Sequence, residues 1–252
     1  VISRHPELTG KLIAQITMDK GALRHKKMNI RSAGGRVRDK LNGRDIRSYR
    51  EAEDQVRKEV AENPDRYIQI PHADEYVISG YSTMATETLD QLAGQYDIDT
   101  RKMESGELAV ITPLGSGGLL SGWLELKTRS PGVKAYGVTA PPADLTFQSL
   151  KNQNLIRKDV SSNPDIVVDG NLATPEEIAV ELIREMADGV LLITEKDALY
   201  ATALLEHFGI SVEPTSGLPL AAFLIRPDLF DAAKYAVIDR KSTRLNSSHR
   251  IR

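Results

Sequence analysis

Short apolar stretches alternate along this chain with longer stretches in which apolar and charged residues are mixed. The short stretches predict strands, because a brief apolar run bounded by turn residues is typical of a buried strand. These strands are expected at 12–17, 36–38, 67–70, 107–114, 133–138, 165–168, 190–194 and 234–238. The mixed stretches predict helices at 23–33, 48–62, 79–95, 119–128, 174–187, 195–208 and 218–224. Strands separated by helices of this length indicate parallel sheets with crossover helices, and therefore an α/β fold.

Two places carry the sequence signature of a helix start. The run Thr174-Pro175-Glu176-Glu177 is typical of a capping box with proline at the first helical position. Thr194, followed three residues later by Asp197, repeats the pattern. We therefore expect one helix to begin directly after Thr174 and another directly after Thr194.

Composition limits the class of protein. The chain has 252 residues, of which 40% are hydrophobic, and it can bury the core of one or two α/β domains. The absence of cysteine excludes disulfides and thiolate metal sites and fits a cytoplasmic protein. The net charge of −2 gives no indication of nucleic-acid binding, and no apolar run approaches the length of about 18 residues that predicts a membrane span. We expect a cytoplasmic protein that binds neither nucleic acid nor membrane.

Both ends of the chain look unlike the ends of a natural protein. Residues 239–249 read DRKSTRLNSSH, which resembles the in-frame translation of a widely used short-read sequencing adapter. The alternative is a basic, disordered tail. We expect 239–252 to be a non-native tail that does not pack against the domain. Because Val1 is not a methionine, we also expect the reading frame to begin inside a gene.

One glycine-rich segment carries candidate chemistry. The predicted strand at 107–114 leads into Gly115, Ser116, Gly117 and Gly118, and a predicted helix follows directly. Glycines allow the backbone to approach a ligand closely, and the N-terminus of a helix attracts negative charge, so this turn suits a phosphate. The alternative is a plain tight turn of an α/β unit.

The glycine pattern argues against a nucleotide phosphate. A dinucleotide fingerprint that starts at Gly115 requires a third glycine where this chain has Leu120, and the acid expected after the next strand is replaced by Thr139. The Gly-Lys-Ser/Thr of a P-loop is also absent. The segment therefore predicts a phosphate site of another kind.

The stretch 113–122, Pro-Leu-Gly-Ser-Gly-Gly-Leu-Leu-Ser-Gly, resembles the phosphate loop of the threonine and serine dehydratases, where four glycines precede leucine or isoleucine. Ser116 replaces one of those glycines. Four further segments resemble the same family in the same order, and they are 18–37, 71–83, 168–170 and 212–217. On these motifs the chain is identified as a member of the fold-type II enzymes that depend on pyridoxal 5′-phosphate (PLP), a group that includes the tryptophan synthase β chain.

The resemblance implies an α/β fold with two doubly wound parallel-sheet lobes, incomplete in this chain. Residues 1–70 would be the remainder of the small lobe, and 71–238 would be the large lobe that binds the cofactor phosphate. The implied cofactor is PLP. The residues implied to bind it are Gly115, Ser116, Gly117, Gly118, Leu119, Gly170, Thr215 and Ser216.

Within the Glu-Pro-Thr-Ser-Gly segment, the resemblance implies that a hydroxyl bonds the pyridine nitrogen of PLP. Thr215 is the first choice by register and Ser216 is the alternative. A hydroxyl can donate to a neutral nitrogen, which leaves the ring a weaker electron sink that suits β-elimination and β-replacement. The same two residues could instead cap the helix expected at 218–224, and both roles are compatible.

The resemblance also implies what this chain lacks. The lysine that holds the cofactor covalently would lie upstream of 8–18, so no catalytic residue is expected here and the chain alone should be inactive. Lys20, Lys26 and Lys27 match a helix of the small lobe instead. No metal site is predicted, because Thr139 stands where some relatives have a cation-binding glutamate and neither His72 nor His207 belongs to a cluster of ligands.

Three functions remain open from the sequence. The first is β-elimination of a hydroxy amino acid such as L-threonine or L-serine to a keto acid and ammonia, by a parent enzyme that is a homo-oligomer. The second is a threonine synthase or diaminopropionate ammonia-lyase, since 80–85 departs from the commoner Gly-Gln-Gly-Thr-Ile-Ala form. The third is a non-catalytic domain that binds a phosphorylated ligand. The expected substrate is a small amino acid.

Overall fold

The computed structural model describes residues 12–22, 24–158 and 166–239. These residues form two compact units. Unit 1 ends at Ile70 and also includes Lys158 and Ile166, whereas unit 2 holds Pro71–Arg157 and continues from Val167. All the residues predicted to bind PLP belong to unit 2.

Unit 1 combines short strands with two helices. Its elements are β1 (Gln15–Thr17), α1 (Arg24–Ser32), β2 (Arg36–Arg38), β3 (Lys40–Leu41), β4 (Arg44–Asp45) and α2 (Tyr49–Glu62). Strands β1 and β2 pair in parallel, and β3 and β4 form an antiparallel hairpin that the sequence pattern did not predict. Helix α2 begins after Ser48, whose side chain accepts a hydrogen bond from the Glu51 N–H.

A partly buried ion pair joins the elements of unit 1. The Lys27 Nζ donates to the Asp39 Oδ2 and to the Lys20 carbonyl, at 2.9 Å in each case. The hydrogen bond from Lys27 holds the pKa of the Asp39 carboxyl below its usual value. Lys27 therefore has a structural partner in this unit.

Unit 2 is built on a four-stranded sheet. Its helices and strands are α3 (Glu75–Tyr96), β5 (Leu108–Pro113), α4 (Gly118–Lys127), β6 (Val133–Thr139), α5 (Leu145–Asn152), α6 (Glu177–Met186), β7 (Gly189–Leu192), α7 (Glu195–His207), α8 (Leu218–Ile225) and β8 (Tyr235–Ile238). The strand order is β7-β6-β5-β8 and every pair is parallel. This confirms the predicted α/β class with parallel strands and crossover helices.

Strand β5 lies in the middle of this sheet and all six of its residues are buried. Helices α4 and α8 each contact β5 and β6. The core around β5 is apolar, and its members include Leu108, Val110, Leu120, Trp123 and Leu124. A central, fully buried strand explains why Leu108–Ile111 is a continuous apolar run rather than an alternating one.

The chain continues its sheet contacts one residue beyond β8. The Asp239 N–H donates to the Ile111 carbonyl at 3.0 Å, and the Trp123 Nε1 donates to the Asp239 Oδ2 at 2.7 Å. The expectation that 239–252 does not pack against the domain is therefore wrong for Asp239. The remainder of that segment, 240–252, lies outside the described residues.

Three predicted elements differ from the structure. Residues 67–70 are not a strand, and Ile68 and Ile70 are 87% and 83% exposed, with no pairing strand among the described residues. The described part of 165–168 is a turn rather than a strand. Helix α6 begins after Glu176, so Thr174 does not cap it. By contrast, Thr194 caps α7 as predicted and accepts from the Asp197 N–H at 3.2 Å.

Within the ranges that the structure describes, no helix is both long enough and apolar enough to cross a membrane.

Candidate functional site

The glycine-rich turn between β5 and α4 presents a row of backbone donors. Gly117 has a φ of 100°, and helix α4 begins at the next residue. In the part of the chain that the structure describes, none of the N–H groups from Gly115 to Leu119 donates a hydrogen bond. Unpaired N–H groups at the start of a helix carry a partial positive charge, so this turn can bind an anion.

The carbonyl groups of the same turn are already bonded to the protein. The Gly115 carbonyl accepts from the Thr146 hydroxyl, and the Ser116 carbonyl accepts from the Glu176 N–H at 3.5 Å. The Gly117 carbonyl accepts from the Ser121 N–H at 2.9 Å. Protein donors bind these three peptide oxygens and so fix the orientation of the turn. The N–H groups of the turn then remain available to a ligand.

Close packing explains why two of the turn positions are glycine. A Cβ on Gly117 would lie 2.9 Å from the Ala179 Cβ, and one on Gly118 would lie 2.9 Å from the His72 carbonyl oxygen. The Tyr81 Cε2 lies 3.3 Å from the same Cβ position on Gly118. The structure therefore brings the segment 71–83 directly against the turn, although the two are separate motifs in the sequence.

A short 3-10 helix, Asp169–Asn171, links the turn to the segment 213–217. A Cβ on Gly115 would lie 3.3 Å from the Asn171 Cα. The neighbouring Gly170 N–H donates to the Thr215 hydroxyl at 3.2 Å. Through these contacts the Thr215 Oγ1 is at most about 13 Å from the Gly115 Cα, given standard backbone dimensions. Of the predicted site residues, Gly115, Gly170 and Thr215 are thus brought together around Asp169–Asn171.

Thr215 and Ser216 are both completely buried in the 3-10 helix Pro214–Gly217. Helix α8 follows at Leu218, and the residue that caps it is Gly217, with no side-chain hydrogen bond. The alternative role of Thr215 and Ser216 as caps of this helix is therefore wrong. The Thr215 hydroxyl accepts from Gly170 and still has its proton to donate.

Sequence reasoning missed two polar side chains in this region. Asn171 is 2% exposed and its Oδ1 and Nδ2 have no hydrogen-bond partner in the described structure. Ser121, one turn into α4, is fully buried and its hydroxyl also has no partner there. An asparagine after Asp-Gly is typical of an exposed turn, so nothing in the local pattern indicates that Asn171 is buried.

His207 and Thr139, which the sequence analysis considered for a metal site, have other contacts. The described residues hold no group of three or more His, Cys, Asp or Glu side chains that could bind a metal ion. His207 lies at the end of α7, where its ring contacts Phe208 with centroids 5.4 Å apart. The Thr139 hydroxyl donates to the Ala143 carbonyl at 2.8 Å, which closes the turn after β6.

The fold and the row of backbone donors define an α/β protein with an anion site at the start of a helix, and comparison with known proteins identifies the family. The model of the family "Pyridoxal-phosphate dependent enzyme" matches residues 10–238. The chain belongs to this family, whose cofactor is PLP. The unpaired N–H groups from Gly115 to Leu119 fit the phosphate of this cofactor.

The relatives of this chain differ from one another in activity. The chain is similar to the serine racemase of Dictyostelium discoideum, with 37% identity over 142 residues, 55% of this chain and 44% of the relative. It is also similar to the β-hydroxyaspartate dehydratase of Paracoccus denitrificans, with 29% identity over 170 residues, 67% of this chain and 49% of the relative. The chain spans about half the length of these curated relatives.

A solved structure shows the same fold. The T.th. threonine deaminase superposes with a TM-score of 0.73 and 29% sequence identity, covering 91% of this chain and 70% of the deaminase. This likeness confirms the predicted fold-type II class.

Proposed function

We propose that the protein to which this chain belongs carries out PLP-dependent β-elimination of a hydroxy amino acid, such as L-threonine or L-serine, to a keto acid and ammonia. The observation that carries the proposal is the row of unpaired N–H groups from Gly115 to Leu119 at the start of α4. Similarity to a β-hydroxyaspartate dehydratase and to a threonine deaminase supports elimination as the reaction.

In this proposal the turn binds the cofactor phosphate, and the segment 213–217 contacts the pyridine ring of the cofactor. The N–H groups from Gly115 to Leu119 donate to the phosphate oxygens, and the partial charge at the start of α4 favours the dianion. The Thr215 hydroxyl, whose oxygen is fixed by the Gly170 N–H, donates its proton to the pyridine nitrogen, with Ser216 as the alternative donor. When bound, the cofactor supplies the electron sink for loss of the Cα proton.

The chain by itself is proposed to bind PLP without turning over substrate. The resemblance to the dehydratases implies that the lysine that moves the Cα proton lies upstream of 8–18. Lys27, the buried lysine of unit 1, is bonded to Asp39 and to the Lys20 carbonyl. Because these two groups hold the Lys27 ammonium, Lys27 is not proposed as the base.

Racemisation of serine is the second candidate function. The observation in its favour is the 37% identity to a serine racemase. Both reactions begin with removal of the Cα proton, and they differ in whether the β-hydroxyl leaves or the proton returns. The other functions considered from the sequence stay predictions, namely threonine synthase, diaminopropionate ammonia-lyase and non-catalytic ligand binding. The homo-oligomeric state of the parent and its cytoplasmic location also stay predictions.

The test uses the complete enzyme that contains these residues. It is incubated with PLP and with L-serine, L-threonine or threo-3-hydroxyaspartate, and keto acid, ammonia and the D-enantiomer are measured in parallel. Elimination predicts equal amounts of keto acid and ammonia. Formation of D-serine without keto acid would overturn the proposal in favour of racemisation, and keto acid formation without PLP would overturn it altogether. The chain alone, loaded with PLP, should give neither product.

A further inference from the structure

Asn171 is a buried amide with no partner in the described structure. Its side chain is 2% exposed, and both the Oδ1 and the Nδ2 lack a hydrogen bond there. Folding removes these atoms from water without replacing the hydrogen bonds that water made, so an unpaired buried amide lowers stability. Such groups are rare in proteins, and a role in function is one of the explanations for them.

The amide lies against the first residue of the phosphate turn. Its Oδ1 is 3.5 Å from the position that a Cβ on Gly115 would occupy, and its Cα is 3.3 Å from that position. Gly115 has no side chain, and its carbonyl is held by the Thr146 hydroxyl. An unpaired amide therefore lies beside the row of unpaired backbone donors that begins at Gly115. A half-turn of the side-chain amide exchanges the Oδ1 and the Nδ2, so the donor can take the place nearer Gly115.

The residue before Asn171 belongs to the other end of the candidate site. Gly170 donates to the Thr215 hydroxyl, so the position of Asn171 is fixed on one side by Thr215 and on the other by the turn. A leucine has the same branched shape as asparagine and would avoid the unpaired atoms. The presence of an amide here therefore points to a role other than packing.

We propose that Asn171 is a ligand-binding residue whose Nδ2 donates a hydrogen bond to the phosphate group held by the turn at Gly115–Leu119. This inference rests on the proposed function, because it takes the phosphorylated cofactor as the ligand. The amide adds a side-chain donor to a site otherwise made of backbone N–H groups, and a hydrogen bond to a charged oxygen is stronger than one to a neutral acceptor.

The experiment measures stability and affinity on the same variants. Trp123 is the only tryptophan and lies in α4, so quenching of its fluorescence reports binding near the turn. The unaltered chain, Asn171→Leu and Asn171→Asp are titrated with PLP, with inorganic phosphate and with pyridoxal, which has no phosphate. Ser130→Ala is the matched control, because Ser130 is a buried polar residue beyond the opposite end of α4.

We expect Asn171→Leu to raise the Tm of the ligand-free chain and to weaken binding of PLP and phosphate by about 10- to 100-fold. Pyridoxal binding should not change. Asn171→Asp should weaken PLP and phosphate further, because its carboxylate faces an anion. Ser130→Ala should bind all three as the unaltered chain does.

If the Asn171 amide has only a structural role and is hydrogen-bonded to a buried water, the opposite result is expected. In that case Asn171→Leu lowers the Tm and leaves PLP and phosphate affinity unchanged, which overturns the inference. An equal loss of pyridoxal binding would overturn the assignment to the phosphate end. If the unaltered chain bound neither PLP nor phosphate, the proposed site would fail along with Asn171, whereas binding that is insensitive to Asn171 would leave the proposed site intact.

Discussion

Replacing Gly117 by alanine should destabilise unit 2 and weaken phosphate binding together. Gly117 has a φ of 100°, and a residue with a Cβ adopts such left-handed backbone at a cost of about 1–2 kcal/mol. The new Cβ would also lie 2.9 Å from the Ala179 Cβ and 3.0 Å from the Ile183 Cδ1, both on α6. Overpacking of this kind costs about 1–3 kcal/mol. The expected loss in free energy of unfolding is therefore about 2–5 kcal/mol.

Gly106→Ala is the matched control in the same unit. Gly106 has a φ of 89°, so it shares the backbone cost, but the atoms that its Cβ would meet are at the far end of the Lys134 side chain, which can move away. The effect of alanine on the unfolded chain is also the same for both variants. The difference between the two, measured by urea unfolding and followed by Trp123 fluorescence, isolates the packing of Gly117 against α6.

The two variants should also differ in ligand affinity. A shift of Gly117 away from α6 turns the N–H groups of its neighbours, so Gly117→Ala should bind PLP more weakly, while Gly106→Ala should bind as the unaltered chain does. Equal unfolding midpoints for the two variants would refute the packing argument. Unchanged PLP affinity in a folded Gly117→Ala chain would refute the role of the turn as the phosphate site.

Three further outcomes are expected. Thr215→Val should lower stability by about 1–3 kcal/mol in thermal unfolding, because the buried Thr215 hydroxyl and its hydrogen bond from the Gly170 N–H are lost, and Thr215→Ser should restore the stability. Thr194→Ala should lower stability by about 1 kcal/mol through loss of the N-cap of α7, whereas Thr194→Ser should not. The Lys234 hydrogen bond lowers the pKa of Glu107, so this pair stabilises the fold above the unfolded pKa and its contribution is lost as the pH falls through the folded value. The Tm difference between the unaltered chain and Glu107→Gln should therefore be present at pH 7 and become smaller as the pH falls below the unfolded pKa of Glu107.

Two features of unit 2, strand β5 and the start of α7, show what the sequence could predict. The run Leu108–Ile111 is apolar because β5 is buried along its whole length, and the end of the strand is marked by the glycines that follow. The start of α7 was also predicted correctly, because the Thr194 hydroxyl and the Asp197 N–H form a contact within a single turn. A sequence pattern whose contact forms within a single turn can be interpreted without knowledge of the tertiary structure.

Errors arose where a distant contact decided the conformation. The segment 174–177 has the residues of a capping box, but the Glu176 N–H bonds to the Ser116 carbonyl and Glu176 stays extended, with φ −96° and ψ 139°. Residues 67–70 have the composition of a strand but pair with no strand in the described ranges. A strand is defined by its partner, and composition does not reveal the partner.

The candidate site shows the same division. The glycine turn was predicted because the residue types and their spacing are themselves the signal. The contact between Gly115 and Asn171 was not, because it joins residues far apart in the chain and depends on the path of the backbone after α5. The burial of Asn171 follows from that contact and could be found only in the folded structure.

The central position of β5 also affects how the protein is made. During synthesis β5 leaves the ribosome before β8, the last strand of the described chain, which supplies one of its two neighbours. Until Tyr235–Ile238 has emerged, one edge of a fully buried strand has open backbone groups that can pair with another chain. A nascent chain that stalls at this stage should therefore depend on chaperones to avoid aggregation, even though its phosphate turn has already been synthesised.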